Sequence, residues 1–130
     1  MSKLNDYVRT ADFRTEKHVP VIDAPDTFTK GEMTAVTVSV GKHIPHPNTT
    51  EHFIAWIALH FVPAGATTSY EIGRCEFSAH GQAAAGANTG PVHTCSAVTF
   101  TVKLTTPGEF HATAYCNLHG LWASSKSVTL

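Results

Sequence analysis

Apolar and polar positions alternate with a period of two along most of the chain. Val36, Val38 and Val40 are separated by Thr37 and Ser39. Val98, Phe100, Val102 and Leu104 share one face of the segment 96–104. Residues 53–62 form a longer apolar run holding Trp56, Ile57 and Leu59, and further strand-like segments cover 70–78, 109–116 and 122–129. Such alternation belongs to strands with one buried face. Turn residues divide them: Pro63-Ala64-Gly65, the Gly- and Ala-rich stretch 81–91, and Thr106-Pro107-Gly108. The stretch 81–91 is expected as a long surface loop. No segment keeps a helical period, and residues 3–15 leave room only for a helical turn or two. Short strands at this spacing predict an all-β chain folded as an antiparallel β-sandwich.

At 130 residues the chain reads as a single domain, 1–130, with a core of its own. No apolar run is long enough to span a bilayer, so no membrane role is expected. No basic segment followed by an apolar stretch opens the chain, so no secretory leader is expected. The formal net charge is −1 with Lys and Arg scattered, which gives nucleic acid no basic patch to bind. Histidine is out of proportion: nine, against ten acidic residues and nine Lys plus Arg. Histidine is the commonest metal ligand, so the excess points to a metal site. Three cysteines without a leader fit a reducing, cytoplasmic setting. Cys75 and Cys95 are expected as ordinary buried thiols, with a bridge between them left open, and Cys116 as the functional thiolate. No Cys-x-x-Cys occurs, which excludes a four-cysteine zinc or rubredoxin-type iron site.

The chemistry gathers in three polar turns. The first is Glu16-Lys17-His18-Val19-Pro20, the second runs from His46-Pro47 to His52, and the third is Cys116-Asn117-Leu118-His119. On the segment 109–116, Phe110, Ala112, Ala114 and Cys116 share the core face, so Cys116 reaches the site as its strand ends. His60, His80, His93 and His111 read as surface or internally satisfied residues. His43, three residues before His46, is undecided on spacing alone. One thiolate with several imidazoles is a transition-metal set. Four histidines and a cysteine are too many for a closed tetrahedral zinc site. A blue-copper electron-transfer site wants a weak axial ligand after the second histidine, usually Met. The only methionines are Met1 and Met33. A glutamine or backbone oxygen can stand in, so copper stays open on these grounds.

Together the three turns resemble the superoxide reductases of the desulfoferrodoxin family, in the one-iron form called neelaredoxin. The Glu-Lys-His turn, the His-Pro segment with a second histidine six residues on, and the Cys-x-x-His turn occur in the family's order. Gly41-Lys42, residues 53–57 and Gly120-Leu121-Trp122 are also similar. The resemblance implies an immunoglobulin-like sandwich with a metal site in loops at one end. It implies a mononuclear non-haem iron, cycling between Fe2+ and Fe3+, with His18, His46, His52 and His119 equatorial and Cys116 axial. His43 is not at a family ligand position. It further implies one-electron reduction of superoxide to hydrogen peroxide, with Lys17 drawing in the anion. Glu16 would fill the sixth position when the iron is oxidised, and Glu51 would be a surface or supporting residue. Backbone N–H groups of Leu118 and His119 would bond the Cys116 sulfur. A rubredoxin-like electron donor and a homotetramer are the family's expectation. The N-terminal rubredoxin-like module of the two-iron relatives is not expected, because the first cysteine is Cys75.

Overall fold

The computed structural model describes all of residues 1–130. The strands are β1 (Val21–Asp23), β2 (Met33–Ser39), β3 (Ile54–Pro63), β4 (Tyr70–Glu76), β5 (Ala97–Lys103), β6 (Gly108–Cys116) and β7 (Gly120–Val128). A 3-10 turn at Leu4–Tyr7 is the only helical element. The strands form two antiparallel sheets, one ordered β1-β2-β5 and the other β4-β3-β6-β7, which pack as an immunoglobulin-like β-sandwich. No helix is long and apolar enough to cross a membrane.

The alternation seen in the sequence becomes the core. Val36 and Val38 from one sheet meet Ile57, Leu59, Phe110, Ala112 and Ala114 from the other, and all are fully buried. Each large side chain so buried contributes roughly 1.5–3 kcal/mol of transfer free energy. Gly73 on β4 leaves room for the Phe100 ring, which a Cβ there would meet at 2.4 Å.

The expectations for Cys75 and Cys95 need correcting. All three cysteines are free, and only Cys116 is buried. Cys75 is half-buried because β4 is an edge strand, and Cys95 lies exposed in the loop before β5. The stretch 81–91 is a surface loop as expected, held at its base by an isolated bridge between His80 and His93.

Strand directions decide where the site falls. The start of β1, the end of β2, the start of β3, the end of β6 and the start of β7 all lie at one end of the sandwich. The three polar turns join those ends. Met33 opens β2 at the opposite end, opposite Lys103, and is exposed.

Candidate metal centre

Cys116 and Gly120 close the β6–β7 register, leaving Asn117, Leu118 and His119 as the connecting turn. Gly120 has φ 82°, a left-handed backbone that favours glycine. Cys116 is 0 % exposed and packs with the core, so its sulfur is held from below by the sandwich.

The second turn is bolted to the third. The Phe53 N–H donates to Asn117 Oδ1 at 2.9 Å, and Asn117 Nδ2 donates to the Glu51 carbonyl at 2.8 Å. The Asn117 N–H donates to the Phe53 carbonyl at 3.2 Å. Asn117 therefore fixes His52 beside Cys116. His46 is placed by Gly41, whose φ is 86°; a Cβ there would meet the His46 nitrogen at 2.8 Å.

The first turn is clamped against β7. Its Pro20 carbonyl accepts from Ser124 Oγ at 2.6 Å. The His18 ring stacks on Trp122, centroids 5.0 Å apart, and Trp122 Nε1 donates to the His119 carbonyl at 3.2 Å.

These supports converge the donor atoms. One ligand atom from each of His18, His52, Cys116 and His119 lies within 4.8 Å of all the others. His119 Nδ1 is 3.1 Å from His18 Nε2 and 3.2 Å from His52 Nε2. His52 Nε2 is 3.2 Å from the Cys116 sulfur. His46 completes the ring: its centroid is 4.9 Å from that of His18 and 4.7 Å from that of His52.

The tautomers follow from the outer contacts. His46 Nδ1 donates to the Pro47 carbonyl at 2.7 Å, which leaves Nε2 with a lone pair. That Nε2 is the single buried side-chain nitrogen or oxygen in the molecule with no partner. His18 Nδ1 lies 2.6 Å from Glu16 Oε1, which in the neutral ring leaves Nε2 to turn a lone pair inward. Crowded lone pairs repel one another, and a buried orphan acceptor costs about 1–3 kcal/mol. A cation among them removes both costs. The donor set thus fits a transition metal, with outer groups orienting the ring nitrogens as in known sites.

The titration behaviour agrees. Burial pushes His46 down to about 4, with the nearby charges of His18, His52 and Lys17 adding to the fall. Burial, then the charges of His119, His18 and Lys17, lower His52. Both rings stay neutral, the form that binds metal. Lys17 is half-buried and enters none of the ion pairs, so its charge is felt by the cluster.

Glu16 sits beside the cluster, bonded to His18. Its Oε1 accepts the His18 N–H at 2.5 Å and faces that ring's Nδ1, outside the convergent group. Burial raises its pKa, but the hydrogen bonds from the His18 backbone and ring outweigh that and hold the carboxyl below its usual range. The expected N–H donors from Leu118 and His119 do not bond the Cys116 sulfur; its polar neighbours are the rings of His52 and His119. Glu51 is exposed and bonded to Asn88 and Thr50.

The remaining histidines sit apart. His60 pairs with Glu71, His111 pairs with Glu109, and His43 packs edge-on to Phe13. His80 is buried and fully bonded away from the cluster. Asn117 and Ser124 support the site but carried no signal of that role in the sequence, whereas Trp122 entered only through the resemblance.

The sequence model of the desulfoferrodoxin family matches residues 10–125. The neelaredoxin of Megalodesulfovibrio gigas is 53 % identical over 128 residues, covering 98 % of both chains. The superoxide reductase of Pyrococcus furiosus is 46 % identical over 127 residues, again covering 98 % of both. The structure of the superoxide reductase (neelaredoxin) of Archaeoglobus fulgidus in its reduced form superposes with a TM-score of 0.88. The two chains are 48 % identical, with 95 % of this chain and 99 % of that one covered.

Proposed function

This chain belongs to the desulfoferrodoxin family, and from that membership we propose which of its residues carry the family's chemistry. The chain is a superoxide reductase: one electron and two protons convert superoxide to hydrogen peroxide at a mononuclear iron. His18, His46, His52, His119 and Cys116 hold that iron. The single observation that carries this is the convergence of imidazole nitrogens on the Cys116 sulfur, with His46 Nε2 buried and unpartnered beside them. When bound, the iron supplies the electron by passing from Fe2+ to Fe3+.

The chain's own groups do the rest. His18, His46, His52, His119 and Cys116 would hold the iron from one side of the cluster, and a small ligand would reach it from the side they leave free, as at a catalytic rather than a structural site. The Cys116 thiolate would donate electron density to the bound iron, as thiolates do in haem enzymes. Lys17 draws superoxide toward the cluster and holds a proton-bearing water near it. Glu16, which bonds the His18 N–H, is the carboxylate that would bind the iron in its oxidised form, because a hard carboxylate favours the harder ferric ion.

The copper alternative is not favoured: the relatives are superoxide reductases, and no methionine stands at the cluster. Met33 lies at the far end of the sandwich and Met1 is fully exposed. The chain acts as one iron-binding unit over 1–130, with a small rubredoxin-like protein as electron donor and a homotetramer as its assembly. Its free cysteines, Cys95 exposed among them, suit the reducing cytoplasm.

Elemental analysis with a visible spectrum tests the assignment. One iron per chain and a blue thiolate-to-iron band that reductant bleaches are expected. Copper, or a colourless zinc protein, would overturn it.

A further inference from the structure

His80 and His18 are the two buried polar side chains of the molecule, and His80 lies outside the cluster, in the excursion between β4 and β5. Its ring lies flat on Phe53, with centroids 3.9 Å apart and planes 12° apart. Its Nε2 is 2.8 Å from the Phe77 carbonyl oxygen, and its Nδ1 is 2.8 Å from Asn48 Oδ1. The Asn48 amide cannot be turned around, because its Nδ2 donates to the Thr94 carbonyl at 2.9 Å. Both oxygens beside the His80 ring are therefore acceptors. Each contact can only be made by a ring N–H, so His80 is the donor in the tie to Asn48.

No carboxylate touches this ring. His93 meets it only through the backbone bridge, and Glu51 is held away by Asn88 and Thr50. What His80 does touch is the segment between two metal-binding positions. Asn48 stands two residues after His46, and Phe53 stands one residue after His52. Two other ties hold this segment: Asn117 bonds Glu51 and Phe53 from the β6–β7 turn, and the Asn88 side chain bonds Thr50 and Glu51 in an exposed contact that competes with water.

We propose that His80 is a positioning residue for the metal centre: by donating to Asn48 and stacking on Phe53 it fixes both ends of the 48–53 segment and sets how His46 and His52 approach the ion. The proposal rests on reading His46 and His52 as ligands. His80 is tied to the bottom of the excursion through Phe77, so the sandwich itself braces the ligand loop from outside the donor set. Buried, fully bonded supports of this kind hold ligands in place, and their loss typically weakens metal binding by about 10–100-fold.

His80→Phe keeps the flat ring on Phe53 and removes both donors; Asn48→Ala cuts the same tie from the loop side, together with the Asn48 bond to the Thr94 carbonyl. Three quantities are measured on the full chain: the rate of iron loss to excess chelator, the position of the ferric charge-transfer band, and the unfolding temperature of the iron-free protein. Each variant should lose iron roughly tenfold or more faster and shift the band. The double variant should be no worse than Asn48→Ala alone, because the tie the two residues share is already cut there. Asn88→Ala should stay within about twofold of wild type. Wild-type iron loss and an unshifted band in folded Asn48→Ala and His80→Phe would overturn the proposal. So would a lower unfolding temperature with both iron readouts unchanged, multiplied effects in the double variant, or an equal loss in Asn88→Ala. If His80→Phe does not fold, Asn48→Ala alone decides by the same criteria. Failure of the ligand reading is distinguishable, because wild-type protein would then show no iron band at all.

Discussion

Cys116 is fully buried, yet its sulfur has His52 Nε2 at 3.2 Å, so a serine hydroxyl placed there keeps a hydrogen-bond partner. Cys116→Ser should therefore fold, lose the blue band and lose most superoxide reduction; an unchanged visible spectrum would refute the axial assignment. Cys75→Ser and Cys95→Ser should leave the band untouched, since neither lies at the cluster. Glu16→Ala removes a carboxylate that competes with substrate, so turnover should persist while the ferric spectrum and its pH dependence change. A slower reaction with superoxide in that variant would contradict the role given to Glu16. The two depressed histidines also set a pH dependence in the iron-free protein. His46 is pushed down to about 4 and His52 is lowered, both chiefly by burial. An unfolded chain takes up those protons near pH 6.5, before the folded chain does. Stability is thus complete above about pH 6.5 and falls as pH drops toward about 4, below which His46 contributes no further slope. Denaturant midpoints should decline over that window, and less steeply in His46→Asn. A flat profile from pH 7 to about 4.5 would count against burial of the neutral ring.

At the scale of elements, the site depends on turns whose backbone permits close approach. Gly41 combines φ 86° with a neighbour at 2.8 Å from its missing Cβ, the His46 nitrogen. Gly41→Ala should cost about 1–2 kcal/mol from the left-handed backbone alone. It should also push His46 outward, so iron binding should weaken by more than the loss of stability explains. Chelator competition set beside iron-free unfolding separates the two effects; equal losses would assign Gly41 to the fold alone. The long strands were readable because their apolar residues alternate and their turns carry Gly and Pro. β1 was not, since three residues, Val21–Asp23, are too few to show a period. The pairing order β4-β3-β6-β7 against β1-β2-β5 is likewise set by contacts distant in sequence, which alternation cannot report. Burial of Cys116 followed from parity along β6, whereas the ligand histidines did not. His43 and His46 look alike in sequence, and only the resemblance separated them before geometry placed His46 in the cluster and His43 against Phe13. His80 was passed over because its partners are a backbone carbonyl and the side chain of Asn48, neither of which marks a histidine in sequence.

Across the whole molecule the charge is nearly balanced, a formal −1, so no long-range field gathers an anion to the site. Attraction must be local. Lys17 adjoins His18, is half-buried and pairs with no carboxylate, so its charge is not cancelled by a neighbour. Glu16 beside it spends its charge on His18. Two unit charges about 4 Å apart attract by about 1 kcal/mol in bulk water and about 4 kcal/mol at a protein edge. A tenfold change in rate needs about 1.4 kcal/mol, which lies inside that interval. Lys17→Ala should therefore slow the reaction of the reduced protein with superoxide roughly tenfold at low salt. Screening acts over about 10 Å at 0.1 M salt, so the gap between variant and wild type should narrow as ionic strength rises. Lys17→Arg keeps the charge and should stay near the wild-type rate. Pulse radiolysis across a salt series measures all three proteins. If Lys17→Ala matches wild type at low salt, or its deficit does not shrink with added salt, then local charge is not what brings superoxide to this centre.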